Sequence, residues 1–277
     1  MSIVRLGTRG SPLARAQTAL AAEALAAHGI DTEVVVIATH GDRAATTPLG
    51  ELGPGAFASA LEEALLAGEI DVAVHSAKDL TGDLPEGLEL AAFLERADPR
   101  DAWCGAARSL DEVPAGARVG TSSLRRIAAL RAVRPDLETV PIRGNVQTRL
   151  DRRAADGLDG VVLAACGLER VGLDGEIGFR FPIETLLPEA GQGAIALQAR
   201  VGDGGLVASA DHLDTRMAVM TERAVTRLLG GGCSTPVAAH AHRIDGGWRL
   251  IGWTGATATA EGPEPHALVE DVVGALL

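Results

Sequence analysis

Strand-like apolar runs alternate with helical stretches along almost the whole chain, and that rhythm restricts it to an α/β architecture with largely parallel strands. Residues 3–6 read as the first strand. Ser11 and Pro12 then make an N-cap with proline at the first helical position, opening an alanine-rich helix that stops at Gly29. The pattern predicts a strand over 33–38, a helix over 57–67 and strands over 70–74 and 88–93. Residues 39–55 are polar and rich in glycine and proline, long enough for a lid rather than a tight connection. After ERADPRDA, read as a crossing into a second unit, the plan repeats. Val119 lies in a strand, Thr121-Ser122-Ser123 caps a helix over 123–133, and a strand over 137–142, a helix over 145–155 and a strand over 159–165 follow. Residues 188–193 read as the crossing back. A long helix from Asp211 onward leads to GGGCSTP, strands over 237–243 and 248–254, and a last helix over 266–276. These signals predict two similar lobes facing a cleft, with a small α/β appendage.

At 277 residues the chain is long enough for two or three packed domains. No apolar run reaches the ~18 residues of a membrane span, and the N-terminal segment lacks the basic and apolar regions of a secretory signal, so a soluble, cytoplasmic protein is expected. Cys104, Cys166 and Cys233 are odd in number and widely spaced, which indicates neither a disulfide framework nor a metal site.

Charge distribution says more than its total. A net charge of −12 opposes general binding of nucleic acid, a polyanion. Yet between Arg118 and Arg153 nine arginines face three acids, a pattern suited to a small anionic ligand or to the solvated outer faces of two helices. Of the 25 basic residues, Lys78 is the one lysine. It stands in VAVHSAKDL, where an apolar run ends in polar residues, and ligands of open α/β sheets bind beyond the carboxyl ends of strands.

Several segments present groups suited to such a ligand. Arg9 and Ser11 in GTRGSP lie between a strand and a helix N-terminus, where free amides favour an anion. GTSSLRR repeats the arrangement with Ser123, Arg125 and Arg126, and RGNVQTR adds Arg143 and Arg149. Asp79 is either a surface carboxylate paired with its neighbour or the one acid of a basic cleft, able to handle protons and offset positive charge. Cys233 follows three glycines in GGGCSTP and is either a reactive thiol at a turn or an incidental one. Cys104 and Cys166 sit in WCGAA and LAACG and read as buried small hydrophobes.

GTRGSPLARAQ, HSAKDL, DPRDA, GTSSLRR, RGNVQTRL, LPEAGQGA and GGGCSTP occur in the order in which the porphobilinogen deaminase family carries closely similar segments. The resemblance runs from the first strand to about Pro236. It implies two doubly wound lobes resembling type II periplasmic binding proteins, plus a small α/β C-terminal domain. The domains would be 1–94 with 190–208, 95–189, and a shortened 209–277. It implies a cytoplasmic monomer that condenses four porphobilinogen molecules on a dipyrromethane cofactor and releases hydroxymethylbilane, with no metal, nucleic acid or membrane. Cys233 would carry the cofactor covalently, Asp79 would be catalytic, and Lys78, Ser123, Arg125 and Arg126 would hold the cofactor's carboxylates. Arg9, Ser11, Arg143, Arg149 and Arg170 would bind the substrate and the growing chain.

Two segments depart from the family's pattern. LGELGPGAFASAL has no lysine where many relatives carry one, Glu51 and Pro54 standing in that region while Phe57 fits the aromatic position. The chain ends soon after the second strand of its last unit, with a short ATATAEGPEP segment, so the third domain is expected to be trimmed. A solute-binding protein with the same two-lobed plan is the rival reading, but it offers no reason for GGGCSTP.

Overall fold

The computed structural model describes residues 3–38, 58–80, 83–231 and 235–277. The expected lid over 39–55, with Glu51 and Pro54, lies outside the described residues, as do Phe57 and Cys233. The chain forms two compact units, Met1–Ala97 with Ala194–Met217 and Asp98–Gly193 with Ala218–Leu277.

In the first unit β1 (Val4–Arg9) leads into α1 (Pro12–Ala26). Ser11 caps that helix by accepting from the Ala14 amide at 3.2 Å, and Pro12 occupies the first turn, where a missing N–H costs nothing. Thr18, Ala21 and Leu25 recur at helical spacing on the buried side. β2 (Thr32–Ile37), α2 (Ser59–Leu66), β3 (Val72–Ser76) and β4 (Leu88–Phe93) follow. Ala21 and Leu25 pack with Val4, Leu6, Val72 and Val74 on one face of the sheet. On the other face Leu61 and Leu65 of α2 pack with Ile70 and Ala73. Covered on both sides, the first four residues of β3 are all buried instead of alternating.

The second unit contains β5 (Asp101–Gly105), β6 (Arg118–Gly120), α3 (Leu124–Val133), β7 (Glu138–Val140), α4 (Val146–Ala155), β8 (Gly160–Ala164), α5 (Ala165–Arg170) and β9 (Phe179–Arg180). Its sheet has the order β7-β6-β8-β5-β9, with β6, β7 and β8 parallel and β5 antiparallel to β8. The chain then returns to the first unit as β10 (Ile195–Arg200), antiparallel to β3 and β4, which completes the order β2-β1-β3-β10-β4. Each sheet thus carries three parallel strands beside an antiparallel one, with helices on both faces. This is the doubly wound lobe expected from the sequence, built twice.

After α6 (Leu213–Leu228), an antiparallel sheet of β11 (Ala238–Ile244), β12 (Gly247–Trp253) and β13 (Thr257–Gly262) is closed by α7 (Val269–Leu276). The segment ATATAEGPEP is therefore not a bare connection. Its first part is a strand paired along the length of β12, from Trp253 opposite Thr257 to Trp248 opposite Gly262. Among the described residues no helix is long and apolar enough to cross a membrane.

One close approach fixes the second sheet. Trp103 is 1% exposed, and a Cβ on Gly160, in the neighbouring strand, would lie 2.2 Å from the indole Cζ2. Gly160→Ala is therefore expected to lower the unfolding free energy by about 1–3 kcal/mol, the usual cost of overpacking. A urea titration reads this as a lower midpoint at unchanged slope.

Candidate functional site

In the first unit the parallel strands β1 and β3 finish at the same sheet edge, β1 with Arg9 and β3 with Ser76. The chain continues from β3 into a single tight turn, Ala77–Asp79, that carries Lys78 and Asp79, both half-buried. Contacts to other elements help to hold this turn. The Ala77 amide donates to the Ala194 carbonyl at 3.0 Å, and Gln17 of α1 donates from Nε2 to the Ser76 hydroxyl at 3.0 Å. The Ser11 cap lies at the start of α1, directly after β1. The first unit therefore brings Arg9, Ser11, Lys78 and Asp79 to one edge, beyond the carboxyl ends of its parallel strands.

The sequence places the end of this strand at 74, two residues early, and so leaves His75 among the polar groups of the edge. The structure puts His75 inside the sheet, 5% exposed, with Nε2 2.9 Å from Gln198 Oε1. Gln198 Nε2 is committed to Glu62 Oε1 at 3.1 Å, so its oxygen accepts and His75 carries the proton on Nε2. Burial pushes the His75 pKa from 6.5 down to about 4, against the opposing Gln198 hydrogen bond.

The consequence has a definite sign. The folded imidazole stays neutral while the unfolded one gains a proton, so this contribution to stability is intact above pH 6.5 and is lost as pH falls towards about 4. Its slope is at most about 1.4 kcal/mol per pH unit. Urea unfolding at stepped pH should show the decline in the native sequence, and His75→Gln should make it shallower.

In the second unit β6, β7 and β8 likewise end at one edge. Ser123 caps α3 and accepts from the Arg126 amide at 3.4 Å, while Asn145 caps α4 through the Thr148 amide at 2.9 Å. The Ser122 hydroxyl ties the two loops together, donating to the Ile142 carbonyl at 2.9 Å and accepting from the Ile142 amide at 3.0 Å. Arg143 lies in the second of these loops, half-buried. Arg149 of α4 reaches back from Nε to the Gly144 carbonyl at 2.7 Å. Arg170 ends α5 and donates from Nη2 to the Gly193 carbonyl at 2.6 Å, and burial lowers its pKa.

Arg125 and Arg126 both turn inward from the first turn of α3, only 4% and 6% exposed, onto Asp101. Asp101 opens β5, stands opposite Ala164 at the end of β8, and is fully buried. Its Oδ1 accepts from Arg126 Nε at 3.1 Å, Arg126 Nη2 at 2.6 Å and Gln192 Nε2 at 2.9 Å. Its Oδ2 lies 2.8 Å from Arg125 Nη2, at ion-pair distance but without hydrogen-bond alignment. Burial alone would raise the Asp101 pKa, but the charges of Arg125 and Arg126 overcome it and hold the carboxyl well below the usual range. Within this cluster one buried carboxylate stands against two guanidiniums, and the charge of Glu189 also acts on Arg126. Asp101 and Gln192 were not singled out from the sequence, although DPRDA and LPEAGQGA contain them.

The remaining thiols are unsuited to nucleophilic chemistry. Cys104 and Cys166 are buried, and burial pushes the Cys104 thiol up to about 12.

Comparison with known proteins adds a second line of observation. Residues 4–208 match the family described as porphobilinogen deaminase, dipyromethane cofactor binding domain, and residues 216–264 match porphobilinogen deaminase, C-terminal domain. The porphobilinogen deaminase of Syntrophus aciditrophicus (strain SB) is 48% identical over 247 residues, covering 87% of this chain and 81% of that protein. That of Thermobifida fusca (strain YX) is 49% identical over 248 residues, covering 87% and 77%. Solved structures with a weaker likeness include the methionine binding protein MetQ, 15% identical with a TM-score of 0.45 over 75% of this chain and 89% of that one. A methionine-bound nutrient binding protein from Burkholderia cenocepacia is 13% identical with a TM-score of 0.47, over 83% and 98%.

Proposed function

Since the chain belongs to the porphobilinogen deaminase family, we propose that its basic residues hold a carboxylate-bearing dipyrromethane attached at Cys233 and that Asp79 is the catalytic carboxylate. The enzyme is a transferase of porphyrin biosynthesis. It condenses four porphobilinogen molecules, with loss of ammonia, into hydroxymethylbilane.

One observation carries the assignment of the cofactor-holding group. The buried Arg125 guanidinium has no hydrogen-bond acceptor for Nε, and it shares the single carboxylate of Asp101 with Arg126. A buried cationic donor left in this state is costly, and an organic carboxylate supplies what it lacks. Each pyrrole of the cofactor and substrate brings two carboxylates, which suits a locally basic site on a protein of net charge −12. When bound, dipyrromethane supplies the terminal pyrrole to which the first substrate is joined.

The other roles follow from residue chemistry. Ser123 and Lys78 donate to cofactor carboxylates with Arg125, the compact ammonium of Lys78 allowing close approach. Arg126, which shares Asp101 with Arg125, takes part in holding the same carboxylates. Arg9, Ser11, Arg143, Arg149 and Arg170 receive the carboxylates of incoming and growing pyrroles. Asp79, an acid next to Lys78 in the sequence, offsets positive charge on the substrate as ammonia leaves and handles protons at the pyrrole nitrogen. The matches over 4–208 and 216–264 support a boundary between the first two domains and a third starting at 209. We read the enzyme as a cytoplasmic monomer without nucleic-acid or membrane partners.

The test is an intact-mass spectrum of the purified protein together with an ammonia assay. The mass should exceed that of the sequence by two pyrrole units, and porphobilinogen should be consumed with release of ammonia. A folded protein at its bare sequence mass, inert towards porphobilinogen, would instead be a binder of acidic solutes.

A further inference from the structure

The second sheet has an opposite edge, away from Ser123 and Asn145. There β6 begins at Arg118 and β8 at Gly160, while the antiparallel β5 ends at Gly105. Two close approaches draw the surrounding chain together. A Cβ on Gly105 would lie 2.5 Å from the Asp159 carbonyl oxygen, and one on Gly178 would lie 2.3 Å from that of Ala107, so glycine is what lets these segments meet. Beside them the surface opens into a cavity of about 380 Å³ whose charged lining is Arg108, Arg153, Asp159 and Glu176. That volume falls in the range of small-molecule sites.

Two guanidiniums thus face two carboxylates, and the four groups are unequally committed. Arg153, in the last turn of α4, reaches from Nη2 to Glu176 Oε2 at 3.3 Å. Asp159 Oδ2 accepts from the Arg118 amide at 2.8 Å, which leaves Oδ1 unengaged among the described residues. Arg108 donates its backbone amide to Glu112 at 2.8 Å, and its exposed guanidinium meets no acceptor among the described residues. One cation and one carboxylate oxygen of the same cavity therefore stand open. A purely anionic guest would face Asp159 and Glu176, and a purely cationic one would face both arginines. A guest with both charges meets each with its opposite.

We propose that this cavity is a second small-molecule site, for an amphoteric ligand with an ammonium and a carboxylate, in which Arg108 holds the carboxylate and Asp159 Oδ1 the ammonium. Two sources share that chemistry. One is a free amino acid; the other is porphobilinogen, which carries an aminomethyl group and two carboxylates. Hydroxymethylbilane has lost its amines as ammonia and lacks the cationic half, so the site distinguishes substrate from product.

The probe is 4-aminobutyrate, titrated into the native protein by ligand-observed NMR beside butyrate and butylammonium, which carry one charge each. 4-Aminobutyrate should bind at least about fivefold more tightly than either, the upper range for an exposed ion pair. Arg108→Gln and Asp159→Asn should each weaken it about fivefold and leave turnover unchanged, because asparagine still accepts the Arg118 amide and neither position belongs to the cofactor edge. Equal binding of butyrate, undiminished binding in both variants, or no binding of 4-aminobutyrate overturns the proposal.

Competition separates the two sources. In full-length Cys233→Ser protein, where substrate should not be consumed, displacement of 4-aminobutyrate by porphobilinogen assigns the site to the substrate, and failure to displace assigns it to a free amino acid. The titration itself is independent of the cofactor. A native protein at its bare sequence mass would remove the reading of the catalytic edge and leave this site to stand or fall on its own variants.

Discussion

Cys233→Ser should yield a folded protein at its bare sequence mass, with turnover reduced by more than about a hundredfold, the least that removing a covalent attachment point generally costs. The reason lies in the chemistry of the side chain. A thiol forms a thiolate near neutral pH and attacks an electron-poor carbon, whereas a serine hydroxyl needs a dedicated base to do so. No other cysteine can take over. Cys104 is buried with its thiol pushed up to about 12, and Cys166 is buried in α5. Circular dichroism separates loss of attachment from loss of fold, because the helices and sheets described here do not include residue 233. A Cys233→Ser protein that still carries two extra pyrrole units would remove Cys233 from the mechanism and require another attachment point.

What the sequence discloses about this fold is what short-range interactions decide. The entry of α1 is legible because Ser11 bonds to an amide three residues on and Pro12 fits the turn that follows; Ser123 and Asn145 announce α3 and α4 in the same way. The repeated doubly wound plan follows from these helix starts and from the apolar runs between them. The strands that escaped notice, β5, β9, β10 and β13, owe their existence to distant partners. β10 contains Gln198, a polar residue that breaks an apolar pattern, and it is fully buried because His75 and Glu62 satisfy it from other elements. β3 begins late for a related reason. Asp71 is held by Arg5 at 2.7 Å and accepts from the Arg5 amide at 3.0 Å, while Ile70 packs under Gly7, so an apolar residue ahead of the strand is buried without joining it.

The candidate site divides along the same line. Arginines and hydroxyls at helix starts can be found from sequence because the helix start itself is visible. Asp101 cannot. In ERADPRDA it looks like one more acid in a polar crossing, and its burial depends on β5 entering the sheet antiparallel to β8, which brings it under two arginines about 25 positions further on. Only the pairing of distant strands turns a loop acid into the anchor of a basic cluster.

Asp79→Asn should keep the two-pyrrole mass and lose turnover by about 10²–10⁴-fold, the range typical of a positioned acid or base. The substitution is nearly isosteric and the backbone around it is independently secured, by the Ala77 amide on the Ala194 carbonyl and by Gln17 on Ser76, so the turn carrying Lys78 should hold its shape. What disappears is the negative charge and the ability to exchange a proton. Both matter while ammonia leaves and positive charge builds on the substrate ring, and neither is needed to grip the substrate's own carboxylates, which the arginines hold. The loss is therefore expected in kcat, with KM changed far less. Cofactor attachment survives for a kinetic reason: it is required once in the life of each molecule, so a rate lowered even about a thousandfold still completes it over hours, whereas repeated condensation exposes the deficit at every cycle. Single-turnover ammonia release from protein of verified mass isolates the chemical step. Near-native release by Asp79→Asn would take the catalytic role away from Asp79 and leave it as an ordinary partner of the cations beside it.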